Sequence, residues 1–213
     1  YGSICRYFFK SSGKWRTNVE ISAGTYQLYG YVPHTSGMAC TLTDLADGTA
    51  SFSSGAKMTL TNVPAITPSD LCVVIGAKAG TDKETVEGLR SGDFDYMATE
   101  IRDGDEVEGN YVFLLFDHLY SALGISMKVD ADYNALRTIK LREISLQPSS
   151  DDAVMKKKMD VTVTLHHNEN GSSPISSVVF STPTDATTMT ASDGILYQSS
   201  EGITLTTASQ SFI

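Results

Sequence analysis

The apolar residues of this chain recur at period 2, or in short runs bounded by Gly, Pro, Asn, Asp and Ser, and this pattern most restricts the fold. Successive side chains of a strand point to opposite faces, so alternation marks a sheet with one wet face, whereas a helix needs apolar residues three and four apart. Val161, Val163 and Leu165 alternate with Thr162, Thr164 and His166. The expected fold class is therefore all-β. Strands are expected at residues 4–9, 25–32, 39–45, 57–63, 71–77 and 94–99, and again at 125–129, 136–146, 159–166, 176–180, 195–198 and 203–207. Between them Pro33, Asp47-Gly48, Ser54-Gly55, Pro64, Pro68, Gly80 and Gly92-Asp93 supply the fixed or positive φ that reversals demand. The apolar parity switches between Leu141 and Ile144, so a β-bulge is expected near Arg142-Glu143. Helical spacing is confined to Asp117-His118-Leu119-Tyr120-Ser121-Ala122-Leu123, which stops at Gly124 and predicts one short helix.

Residues 80–110 break the rhythm, carrying ten acidic side chains against three basic ones, and read as a solvated loop or linker. Strand patterning restarts after it. With 213 residues the chain has room for two domains of ordinary size, expected at 1–108 and 109–213. The expected core comprises Leu28, Leu60, Val73, Ile75, Leu114, Phe116, Ile139, Leu141, Val163 and Leu165.

A content of 41% apolar and 19% charged residues supports a packed core and argues against intrinsic disorder. The net charge of −9 repels phosphate backbones, so nucleic acid and anionic membranes are poor partners. Apolar runs such as Leu71 to Ile75 and Tyr111 to Phe116 fall far short of the roughly 20 residues that cross a bilayer as a helix. Cys5, Cys40 and Cys72 lie about thirty residues apart, without the close pairing of metal or redox sites. Cys72, inside its apolar run, reads as a small buried hydrophobe.

No catalytic constellation is legible, and neither enzyme activity nor a metal or cofactor is expected. His34, His118, His166 and His167 are too scattered for a ligand spacing, and neighbours such as His166 and His167 point to opposite faces of a strand. Asp117 and His118, placed on a helix, would not face each other; Asp117 reads as a cap and His118 as a packed side chain. Asp103-Gly104-Asp105-Glu106 lacks the Gly and Glu positions of a calcium loop. Tyr26, Tyr29 and Tyr31, of mixed parity, read as packing residues.

The segment Gly24-Thr25-Tyr26-Gln27-Leu28-Tyr29-Gly30-Tyr31-Val32-Pro33, followed by Leu115-Phe116-Asp117-His118-Leu119, resembles the fimbrillin-like (Mfa-like, FimA-type) family of pilus subunits and fimbrial adhesins. The resemblance implies two transthyretin-like β-sandwich domains and no catalysis. It implies export as a lipoprotein, with an outer-membrane lipid anchor before maturation, to the outer surface of Gram-negative anaerobes. The chain would then be a structural or adhesive subunit of cell-surface fimbriae, with other pilus subunits as its protein partners. Members of this kind mature when an arginine-specific protease removes an N-terminal strand, opening a groove for a neighbour's terminal strand.

On this chain the expected strand is residues 4–9, with Ile4, Tyr7, Phe8 and Phe9 as its apolar side chains, followed by a polar loop over residues 10–16. Arg16 is the expected cut site and Arg6 the second. The expected donor is the Thr-rich tail carrying Ile203, Leu205, Phe212 and Ile213, since sheet edges accept extra strands. The alternative is a monomeric surface-exposed binding module whose loops hold a glycan or a host protein, because such sandwiches serve both ends.

Overall fold

The computed structural model describes residues 8–11, 14–17, 24–44, 55–65, 70–80, 98–101, 111–150, 154–165 and 175–213. Their strands are β1 Phe8–Ser11, β2 Lys14–Thr17, β3 Gly24–Gln27, β4 Tyr31–Val32, β5 Ala39–Thr43, β6 Lys57–Pro64, β7 Cys72–Gly80, β8 Ala98–Ile101, β9 Tyr111–His118, β10 Ser126–Met127, β11 Lys140–Ser145, β12 Lys158–Leu165, β13 Ile175–Ser181, β14 Ile195–Thr204 and β15 Gln210–Ser211. One α-helix, α1 Ala131–Leu136, interrupts them. The fold is all-β, and every strand pairing is antiparallel.

The largest described sheet has the order β13-β12-β6-β5, and its two central strands show why alternating sequence becomes a core. Val161, Val163 and Leu165 of β12 and Leu60 of β6 are fully buried, each at 0% exposure. On the opposite face Thr59 and Thr162, directly opposed in the register, join their hydroxyls at 3.2 Å. A slip of one residue would turn the apolar set outward, so both faces specify the same register. Each large side chain buried here contributes about 1.5–3 kcal/mol.

A second sheet, β4-β7-β9, closes the core from the other side. Leu71 and Val73 lie in the same apolar cluster as Met58, Leu60, Val161, Val163 and Leu165, giving the β-sandwich character. Both sheets join strands from the two sides of residues 102–110: β6 pairs with β12, and β7 with β9. The expected division at 108/109 thus runs between hydrogen-bonded partners in both.

Bulges set the parity of several strands. Thr61 and Asn62 stand where β12 offers only Asp160. Asn62 takes a positive φ of 57°, and its N–H donates to Asp160 Oδ1 at 2.9 Å. Asn tolerates that conformation better than most side chains, and the extra residue lets Val63 point inward with Leu60. The bulge expected near Arg142 is present, between Leu141 and Glu143. Most of its extra chain lies in the partner, where residues 199–202 of β14 bow out and Gly202 turns at φ +75°. The two strands expected at 195–198 and 203–207 are consequently one strand, β14.

Other expectations change. Residues 117–118 end β9, and the helix lies later, at Ala131–Leu136, capped by the Asp130 carboxylate, which accepts from the Asp132 N–H at 2.9 Å. Pairing with β7 carries residues 117–118 into the sheet, and the Asp130 cap supplies a helix start further on. Leu136, expected to open a strand, ends this helix and is exposed. Of residues 10–16, expected as a loop, 10–11 and 14–16 lie in the antiparallel pair β1–β2, in which Phe9 opposes Arg16 and Ser11 opposes Lys14. Residues 25–32 split between β3, paired with β8, and β4, paired with β7. Of the expected core, Leu60, Val73, Val163 and Leu165 are buried, and Leu28, Ile75, Leu114, Ile139 and Leu141 are half-buried. Phe116 is exposed. The β7–β9 register shifts between Val74 and Gly76, opposite Phe116 and Leu115, and breaks the alternation assumed for this pair.

A 3₁₀ turn, Ala191–Gly194, ties the entry of β14 to β12. Asp193 is held by Lys157 at 2.8 Å and by the backbone N–H and hydroxyl of Thr190 at 2.7 and 2.8 Å. These donors, Lys157 foremost, hold its carboxyl down at about 2. Because the folded value is depressed, the stabilisation is present above the unfolded carboxylate range, near 4, and is lost as pH falls towards about 2. Melting temperature followed between pH 5 and pH 2 is expected to fall less steeply in Asp193→Asn than in the native chain. Next to it, buried Gly194 lies so close to the carbonyl oxygen of Leu146 that an added Cβ would overlap it. Gly194→Ala is expected to cost about 1–3 kcal/mol in denaturant unfolding, the usual range for overpacking.

Candidate functional site

Strand pairing brings chemistry together at one end of the β4-β7-β9 sheet. Cys72 opens β7 and stands directly opposite His118, which closes β9. Asp70 precedes Cys72 by two residues, the spacing that returns a side chain to the same face of an extended chain. The Leu119 N–H donates to the Leu71 carbonyl at 2.8 Å and holds this end closed. Asp117 accepts from the His118 backbone N–H through Oδ1 at 2.9 Å.

His118 Nδ1 lies 2.6 Å from Asp70 Oδ2 and 3.5 Å from Cys72 Sγ, and the thiol donates to the Asp70 carbonyl oxygen at 3.6 Å. All three ligand atoms fall within 4.8 Å of one another. The His118 and Asp70 side chains are 66% and 56% exposed, while Cys72 is buried. Burial raises the Cys72 thiol pKa, and the charges of Asp70 and Asp117 raise it further. The thiol therefore stays protonated. A nucleophilic relay needs its carboxylate on one imidazole nitrogen and its nucleophile on the other. Here Asp70 and Cys72 both approach Nδ1, so the trio is not wired as a relay but offers one nitrogen, one sulfur and one oxygen donor to a single point.

Cys72 is buried, as its apolar run implies, whereas His118, expected to be packed on a helix, is exposed at the end of β9, and Asp70 is not singled out by its local sequence. The available signal was the Asp-x-Cys alternation, but its partner 46 positions away is defined only by strand register. His34 bonds to the Tyr31 hydroxyl at 2.7 Å, and Tyr29 and Tyr31 pack against the core as expected. His166, His167, Asp103, Asp105 and Glu106 lie outside the described residues.

The residues expected to exchange strands are scattered. Ile4, Arg6 and Tyr7 lie outside the described residues; Phe8 and Phe9 are in β1 and Arg16 in β2. Ile203 of β14 pairs with Leu141 and is exposed, and Leu205 is buried. Phe212 sets its ring against Tyr197 at 5.3 Å, and Ile213 is exposed. Within the chain the tail is already paired, β15 with β10, and the Phe212 N–H donates to the Ile125 carbonyl at 2.9 Å.

A surface the sequence reading did not single out is β13. Among the described residues it pairs with β12 alone and forms an edge of the four-stranded sheet. Its seven residues, ISSVVFS, carry no charge and no proline, and Val179 and Phe180 are 56% and 49% exposed. Phe180 stacks on Tyr120 with ring centroids 6.4 Å apart. Such an edge lacks the Lys or Pro that natural sheets use to refuse further strands.

Compared with protein-family models, curated proteins and solved structures, the chain matches none.

The carboxylates beside Cys72 predict its reactivity. In Asp70→Asn the thiol pKa should drop, and alkylation of Cys72 by iodoacetamide near pH 8, followed by peptide mass spectrometry, should be faster than in the native chain.

Proposed function

We propose that this chain is a structural or adhesive subunit of cell-surface fimbriae, joined to other subunits by strand addition. The reading places it outside the cell, at the outer-membrane surface, reached as a lipoprotein. It rests on the two segments that resemble fimbrillins, and the observation that carries it is the uncharged edge β13, which among the described residues pairs with β12 alone. An edge strand presents backbone N–H and C=O groups to solvent, and a second strand laid beside it satisfies both while covering the apolar side chains. Val179 and Phe180 supply that apolar surface. By the same resemblance, removal of an N-terminal segment at Arg16 would open a groove for the incoming strand; among the described residues β1 pairs with β2 in a sheet of their own, so cutting at Arg16 requires that pair to open first.

Limited trypsin treatment followed by size-exclusion chromatography tests this reading. The clipped chain is expected to form larger assemblies, and Arg16→Ala to slow their appearance. Val179→Lys, which puts a charge on the edge without disturbing a buried residue, is expected to weaken association while leaving the melting temperature within a degree or two. A clipped chain that stays monomeric would instead favour the surface binding module for a glycan or host protein.

A further inference from the structure

We propose that Asp70, Cys72 and His118 bind a divalent transition-metal ion of the zinc type, with at least one coordination position left open. The trio converges because of sheet geometry: Cys72 and His118 are cross-strand partners, and Asp70 is one strand repeat away. A thiolate and an imidazole in one site select zinc-like ions over calcium or magnesium, which take oxygen donors. The spacing also fits. With Zn–N near 2.0–2.1 Å and Zn–S near 2.3 Å, a tetrahedral ion holds its nitrogen and sulfur donors about 3.6 Å apart. Nδ1 and Sγ stand at 3.5 Å.

A second edge of the tetrahedron, nitrogen to carboxylate oxygen, is about 3.4 Å in a zinc site; the third, sulfur to carboxylate oxygen, is within 4.8 Å here. His118 Nδ1 and Asp70 Oδ2 are hydrogen-bonded at 2.6 Å, so the ion must take the place of that bond and part the two. Both side chains are more than half exposed and free to swing by that amount. Binding converts the Cys72 thiol to a thiolate, and His118, ligating through Nδ1, carries its one ring proton on Nε2; a proton held on Nδ1 passes to Nε2 through solvent. The proton from sulfur goes to solvent, as metal binding to such ligands requires. A water or a partner's donor completes the shell.

The test uses the full chain, reduced and freed of metal with a chelator, titrated with Co²⁺ and then with Zn²⁺. A thiolate-to-cobalt charge-transfer band and tetrahedral d–d bands are expected, both bleached by zinc. Cys72→Ser should abolish the charge-transfer band, and His118→Ala and Asp70→Asn should each weaken binding by at least the 10–100-fold that even outer-shell changes cost. Cys40→Ser, at the half-buried thiol elsewhere in the sandwich, should leave the spectrum unchanged. His118 is exposed, so His118→Ala remains informative should Cys72→Ser fail to fold. The absence of the charge-transfer band in the native chain, or its survival in His118→Ala at unchanged affinity, would overturn the proposal.

Discussion

The pairing of β6 with β12 is the interaction on which the rest of the described structure depends. It joins residues about a hundred positions apart, so closing that loop costs conformational entropy before any contact returns it. The return comes from both faces at once. Leu60, Val161, Val163 and Leu165 leave water completely on one, and the Thr59 and Thr162 hydroxyls meet on the other. Asn62, Asp160 and Lys158 then fasten the bulge that keeps Val63 in the same core.

Once that pair is in place, its apolar face must be covered, and Leu71 and Val73 do so from the β4-β7-β9 sheet. Covering the core orients β7 with Val73 inward, and the β7–β9 register puts Cys72 opposite His118 at the sheet's end. The Asp70, Cys72 and His118 cluster is thus a by-product of where a sandwich ends and its strands emerge, and ends of sheets are where side chains of different elements meet solvent together.

The same economy leaves edges. A sheet of four strands buries its middle and exposes two borders, and one of them, β13, is uncharged over its whole length and carries exposed Val179 and Phe180. Natural sheets spend charges and prolines to silence such borders. Among the described residues no further strand pairs with this border, and the proposed association through strands draws on that.

Much of the fold was legible in the residues because the alternation of Val161, Val163 and Leu165 with threonines is a local property, as is the parity switch at Arg142. Local sequence by itself determined the all-β class, most strand positions and the deepest core residues. It could not place the helix, since the spacing at 117–123 and the Asp130 cap are signals of similar weight, decided by β9 running on through His118. Nor could it reveal that strands either side of residues 102–110 share sheets, that β13 lies at an edge, or that Asp70, Cys72 and His118 converge. Those depend on which strand lies beside which and in what register, and register is set by burial summed over the whole sandwich.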